Sequence, residues 1–452
     1  MTIRTLVASI AIAVAAVAAR AADDLKPTIQ PIAAKYNAPA ALAAVVKDGK
    51  VVGVGVCGVR AIDGVPAAID DLSMIGSCGK AITRLLIARL VDQGKLTFDA
   101  RLSALLPDVQ MLDAYKSVTI GDVIGHRGGL QPYTEIGPRM TPHLFKPHSD
   151  ATAARAAFID HVLKEEPAAK PGERFVYSNA GYSLLGHIAE RIAKLPFEQL
   201  AAREVFTPLG MRDARVALPH SEPARAHLRG HGREPGGYAV APQRGGVPAF
   251  APAGMMSCTI GDFAKLAATL VEIESDEPGK FLRADTARRI RELRPGGGKL
   301  ANEGEPFFGG DGFYTATFAL WPSRKMGIVV ATNAGDNDAV CAAIAEALRA
   351  KYDPAASAVP VEDEPGVAPP RVPLGFSLDA QDADNCFVQD VTAQSLAEKA
   401  GLKAGDRIVA INGTPLSELP AAKLRGSLAQ KKVTLRIERA GKTLEIVMER
   451  PD

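Results

Sequence analysis

Apolar residues fall into two kinds of run along this chain, and their order predicts its architecture. Two short, nearly continuous apolar stretches come first, Ala41–Val46 and Val51–Val59, with the polar Lys47-Asp-Gly-Lys between them. Runs of that length around a Gly-containing turn read as paired strands. Helical spacing follows. The clearest case is Ala81–Gln93, where Leu85, Leu86, Ala88, Leu90 and Val91 are apolar and Gly94 stands as a C-terminal stop. The same spacing predicts helices over Thr152–Leu163, Ala180–Ala193, Thr259–Ile273, Ala284–Leu293 and Asp338–Tyr352. Near the end, Phe313–Leu320 and Met326–Thr332 read as two strands joined through Trp321-Pro-Ser-Arg-Lys. Strands at both ends around a helical middle predict an α/β unit, with one sheet formed from both termini and helices against it. Residues 218–250, rich in Gly, Pro, Arg and His, read as an extended surface loop.

Both periods stop at residues 353–373, where prolines crowd and neither a helical nor a strand repeat survives. That composition is a semi-rigid linker. It divides the 452 residues into a large unit, 22–352, a linker, 353–370, and a small unit, 371–452. The first residues read differently again. Arg4, the apolar run Leu6–Ala19 and the small-x-small Ala19-Arg20-Ala21 predict a secretory signal peptide over residues 1–21, and hence export to a periplasm-like compartment. No other stretch is long and apolar enough to span a bilayer.

Composition changes this picture little. Hydrophobic residues make up 47% and charged residues 23%, as in a soluble protein with a sizeable core. The formal net charge is +2, and loss of Arg4 and Arg20 with the signal peptide takes it to 0. Nothing in that balance favours nucleic acid. Cys57, Cys78, Cys258, Cys341 and Cys386 are scattered, with no CxxC pair, and their odd number leaves at least one thiol free.

Candidate chemistry sits at the start of the Ala81–Gln93 helix. In Ser77-Cys-Gly-Lys80 the hydroxyl and the amine are three residues apart, which places both on one face of a helical turn. A partly desolvated Lys can take the proton of such a Ser, and a helix start offers N–H groups to developing negative charge. About 100 residues later, Tyr177-Ser-Asn179 precedes another helix; a Tyr there can relay a proton and an Asn can orient a substrate amide. No Ser lies in a G-x-S-x-G elbow, and the eight His form neither H-E-x-x-H nor H-x-H, so no metal or cofactor is expected. His126 reads as a packing or loop-bonding residue, since a base is already supplied.

These motifs occur in series with others. Met74-Ile-Gly-Ser-Cys-Gly-Lys80, Leu90-Val-Asp-Gln-Gly-Lys-Leu96, Val118–Leu130, Phe175–Gly186, Pro208-Leu-Gly-Met211 and Pro252–Ser257 together resemble the class C β-lactamase and DD-peptidase family of serine hydrolases. The resemblance spans about residues 35–352. It implies a β-lactamase-like fold with Ser77 as nucleophile, Lys80 as base, Tyr177 as second acid/base and Asn179 orienting substrate. The oxyanion would be held by the backbone N–H groups of Ser77 and Gly310. One element departs: where the family carries Lys-Thr-Gly or His-x-Gly, this chain has Phe307-Phe-Gly-Gly310. Without that cation, capture of a substrate carboxylate loses its usual partner, and an ester or uncharged amide is favoured.

The small unit resembles a PDZ domain of the kind attached to periplasmic proteases, through Pro373–Leu378, Phe387–Val391 and Ala400–Gly413. That resemblance implies a β-rich module in which Leu374, Gly375 and Phe376 form a loop for a peptide C-terminus. The whole then reads as an exported acyl-transfer hydrolase with a peptide-binding module. The contrasting reading is a binding protein on a retired hydrolase scaffold.

Overall fold

The computed structural model describes residues 22–450 except 63, 135–147, 222–224, 235–236, 243–245, 276–278, 294–302, 357–373, 375, 381–385, 392–394, 404, 417–426 and 429. Residues 1–21, expected to be a signal peptide, and residues 357–370 of the expected linker therefore lie outside the described residues. In chain order the large unit runs β1 (Asp23–Asp24), α1 (Lys26–Lys35), β2 (Ala40–Lys47), β3 (Lys50–Gly58), β4 (Ser73–Met74), α2 (Lys80–Asp92), α3 (Ala151–Val162) and α4 (Asn179–Ala193). It continues with β5 (His231–Glu234), β6 (Gly237–Val240), β7 (Ser257–Cys258), α5 (Ile260–Glu274), α6 (Ala284–Glu292), β8 (Phe307–Gly310), β9 (Thr315–Trp321), β10 (Met326–Thr332) and α7 (Asp338–Tyr352). Several one-turn helices fill the connections.

Six strands form the main sheet in the order β1-β3-β2-β10-β9-β8. All neighbours are antiparallel except the short β1, which lies parallel to β3. The centre of the sheet joins the two ends of the unit, with Lys47 opposite Met326 and Ala41 opposite Thr332. Strand alternation explains why both central strands read as continuous apolar runs. Leu42, Ala44 and Val46 of β2 face a core shared with α2, α4 and α5, whereas Ala41, Ala43 and Val45 face a second core closed by α1 and α7. The sheet is covered on both faces, so every position of β2 up to Val46 is buried.

Three local expectations are corrected. Strand β9 starts at Thr315 rather than Phe313, because Asp311 Oδ1 accepts the N–H groups of Phe313 and Tyr314 and folds that stretch into a turn. Ser77 does not share the α-helix of Lys80; it lies in a 3-10 turn, Gly76–Gly79, that feeds α2. Residues 218–250 are not simply a loop, since β5 and β6 pair as a hairpin and His231 is buried beside Asn333. All five cysteines are buried and none of them forms a disulfide.

The small unit has its own sheet, β11 (Phe376–Ala380), β12 (Cys386–Val391), β13 (Arg407–Ile411), β15 (Lys432–Arg439) and β16 (Lys442–Glu449), with β14 (Thr414–Pro415) beside β13. Its core is built on Val388, Ile408, Leu435 and Ile437 and, among the described residues, begins at Leu374. Leu374 itself is buried there and its carbonyl accepts the Ala397 N–H at 2.8 Å. Phe376 opens β11, and Gly375 lies outside the described residues. No helix among the described residues is long and apolar enough to cross a membrane.

Candidate active site

The turn carrying Ser77 is held in a cleft too narrow for side chains. Gly76 has φ 51°, in the left-handed region that glycine enters without steric cost, and a Cβ there would overlap the Gly310 nitrogen. Gly309 of β8 approaches from the other side: a Cβ on it would stand 2.6 Å from the Ser77 nitrogen. Edge strand β8 is thus laid backbone-to-backbone on the Ser77 turn. That places the amide-bearing backbone of Gly310 beside Ser77, as the two-donor arrangement requires.

Lys80, one turn on, projects from the start of α2 into the interior, and only 2% of it is exposed. Its Nζ donates to three neutral oxygens: Ser77 Oγ at 3.0 Å, Asn179 Oδ1 at 2.7 Å and the Ala253 carbonyl at 2.6 Å. Burial without a carboxylate partner disfavours the charged amine, so its pKa falls from 10.5 to about 7. The Tyr177 and Tyr182 rings stand 4.8 and 5.5 Å from Nζ, where a ring face still favours a cation.

From the opposite side, the Tyr177 hydroxyl donates to Ser77 Oγ at 2.8 Å. Burial drives its phenol well above the ordinary tyrosine range, which keeps it protonated and able to donate. His126 stacks on the Tyr177 ring at 4.6 Å, and its Nδ1 accepts the Ser178 N–H. Burial lowers its pKa to about 3, so it is a neutral wall that orients the tyrosine. Ser178 caps α4 by accepting the Gly181 N–H and donates its hydroxyl to the Gln131 carbonyl. The cap fixes the Tyr177-Ser-Asn179 segment over the serine.

The structure therefore brings Ser77, Lys80, Tyr177 and Asn179 within hydrogen-bonding reach of one another, with Gly310 alongside. Asn179 is engaged at both ends: Oδ1 holds Lys80, and Nδ2 donates to the Tyr133 carbonyl at 2.8 Å. Phe307 takes no part in a polar contact through its side chain; its ring stacks on its cross-strand partner Phe318 at 5.3 Å. Two groups around Lys80 were not read from the sequence. The Ala253 and Tyr133 carbonyls act through the backbone, which no side-chain pattern marks. Among the described residues no group of three or more His, Cys, Asp or Glu is placed to hold a metal ion.

Comparison with known proteins places this geometry. The Beta-lactamase family model matches residues 25–351 and the PDZ domain model matches residues 367–438. Penicillin-binding protein 4 of Amycolatopsis lactamdurans is 28% identical over 44% of this chain and 51% of its own length. Gigasin-6 of Magallana gigas is 29% identical over 43% of this chain and 64% of its own. The chain thus spans only about half to two thirds of the length of these two relatives. Among solved structures, the D-amino acid amidase of Ochrobactrum anthropi SV3 superposes with a TM-score of 0.58 at 22% identity, covering 72% of this chain and 98% of that one. The octameric penicillin-binding protein homologue of Pyrococcus abyssi does so with a TM-score of 0.58 at 18% identity, covering 95% and 96%. With the model match enclosing the whole Ser77 cluster and most of the chain, the protein belongs to the beta-lactamase family and carries a C-terminal PDZ domain.

Proposed function

We propose that this chain is an exported serine hydrolase that works through an acyl-enzyme on Ser77. The observation that carries the proposal is the pair of contacts on one hydroxyl: Lys80 Nζ at 3.0 Å and the Tyr177 hydroxyl at 2.8 Å from Ser77 Oγ. Neutral Lys80 accepts the Ser77 proton as Oγ bonds to an ester or amide carbonyl carbon. The oxyanion that forms sits against the backbone N–H groups of Ser77 and Gly310. Tyr177 supplies the proton that the departing alkoxide or amine takes as the carbon–heteroatom bond breaks, and Lys80 restores it. Water then attacks the acyl ester carbon, giving a proton to Lys80, which passes it to Ser77 Oγ as the acyl C–O bond breaks, so that the acid leaves and Ser77 is restored. Asn179 keeps Lys80 in register and presents its amide edge to the substrate.

The substrate side of this proposal follows from Phe307. Phe307 stands at the sequence position where the family carries its cation, and its ring stacks on Phe318, so uncharged esters or amides suit the site better than carboxylate-bearing ones. In the proposed organisation residues 1–21 direct export to the periplasm, 22–352 form the hydrolase, 353–370 link, and 371–452 bind a peptide C-terminus near Leu374, Gly375 and Phe376. The test is covalent labelling with a fluorophosphonate and a fluorescent penicillin. Label is expected on the wild type and absent from Ser77→Ala. An unlabelled wild type that also leaves chromogenic esters and cephalosporins intact would leave the second reading, a binding protein acting through its PDZ domain, which the loss of a cation at Phe307 favours.

A further inference from the structure

Tyr133 lies outside every motif read from the sequence, yet it meets Asn179, which holds Lys80, and Phe250, three residues before the Ala253 carbonyl that also holds it. Its backbone is in the left-handed region, φ 50°, a conformation that a bulky residue keeps only where its surroundings impose it. Three contacts do so. The Tyr133 hydroxyl donates to Glu165 Oε2 at 2.6 Å, its ring packs edge-on against Phe158 at 5.0 Å and Phe250 at 6.4 Å, and its carbonyl accepts from Asn179 Nδ2. Asn179 Oδ1 is one acceptor of the Lys80 amine. Phe250 precedes the short helix Ala251–Gly254, whose Ala253 carbonyl is another. Glu165 is in turn set by its place just past the end of α3 and by His161 Nε2, 3.5 Å from its other oxygen.

We infer that Tyr133 and Glu165 form a positioning pair, which fixes Lys80 against Ser77 by setting both of the amine's other acceptors; the inference rests on the reading of Lys80 as base. Tyr133 acts through Asn179 and Phe250, so its loss should slow proton transfer and leave substrate affinity alone. A ring that merely lined the pocket would do the reverse.

The experiment uses the full chain and p-nitrophenyl butyrate. Tyr133→Phe, which keeps the ring and removes the bond to Glu165, should lower kcat by about tenfold with KM unchanged, since small misplacements of a catalytic group are expensive. Glu165→Leu should reproduce that loss, while Glu165→Gln, which keeps an acceptor for the hydroxyl, should largely restore the rate. Adding Tyr133→Phe to Asn179→Ala should cost clearly less than the product of the two single losses, because part of the pair's effect runs through that amide. A second readout needs no turnover: ¹³C NMR of labelled lysines, with Lys80 assigned by its loss in Lys80→Arg. In Tyr133→Phe the Lys80 titration should move up towards ordinary lysine as water reaches the amine, and in Glu165→Gln it should stay put. A raised KM at constant kcat, multiplying effects in the double variant, or an unmoved Lys80 titration in Tyr133→Phe would each overturn the inference. An inactive wild type would instead remove the hydrolase reading, and the titration alone would then decide the positioning.

Discussion

Lys80 is the residue whose environment is most at odds with its chemistry. Burial takes its pKa from 10.5 to about 7, so the neutral form needed to accept the Ser77 proton is scarce below that value and dominant above it. Acylation of Ser77 should therefore rise about tenfold per pH unit up to about 7 and level off beyond, and stopped-flow rates with a p-nitrophenyl ester would show the limb. The same shift has a cost in stability. Between about pH 7 and 10.5 the unfolded chain binds a proton at Lys80 that the folded one does not, so this group makes stability rise with pH across that window. Lys80→Met should abolish acylation and flatten that part of the stability curve in urea melts. An unchanged slope would mean that the amine is charged inside the fold. The Ser77–Lys80 relation was legible from the serial run of motifs, with a spacing of three that brings two side chains to one face of a 3-10 turn as well as of an α-helix. The carbonyls of Ala253 and Tyr133 were not, since a backbone acceptor can belong to any residue type.

At the scale of elements, the site depends on how closely edge strand β8 lies on the Ser77 turn. Gly309→Ala places a methyl against the Ser77 and Cys78 nitrogens and the Ile75 carbonyl, all backbone atoms that cannot swing aside. The strand must then lift away, taking Gly310 with it. Removing one oxyanion donor costs about 10²–10³-fold in kcat, and a loss of that size is expected for Gly309→Ala with the fold intact by circular dichroism. A loss under about threefold would show that β8 supplies no donor. A second junction is tied by charge. Fully buried Arg155 of α3 binds Glu190 of α4 at 2.6 Å, Glu198 at 3.0 Å and the Pro248 carbonyl at 3.0 Å, gathering the elements that flank Ala253. The central strands and the long helices were legible because burial on both faces of the sheet, or on one face of a helix, leaves a clear apolar period. The β5–β6 hairpin was not, because β5 reads His-Gly-Arg-Glu with no apolar alternation and β6, Gly-Tyr-Ala-Val, is too short to show one.

At the scale of the whole molecule, the expected linker lies between two separate sets of buried residues. Among the described residues the two cores of the large unit end at Ala356, and the core of the PDZ domain begins at Leu374. A chain stopped after residue 356 should hydrolyse a p-nitrophenyl ester with kcat/KM within about twofold of the full protein, as neither core loses a residue. Immobilised peptides with free C-terminal carboxylates should retain the full protein and not the shortened one, with amidated peptides as controls. Equal retention of both forms would assign peptide capture to the large unit.

The pairing of β2 with β10 also sets an order of events. Ala40 bonds to Asn333, 293 positions later, and the Cys78 thiol beside the nucleophile meets the Phe307 carbonyl 229 positions on. A chain emerging from its N-terminus first holds Ser77 and Lys80 long before the strand that flanks them exists. Contacts of such long sequence separation form slowly, because the loop between them must close first. Ser77 thus stays without its opposing strand while most of the domain is still unfolded, and the proposed reactive centre comes into being only as the sheet closes.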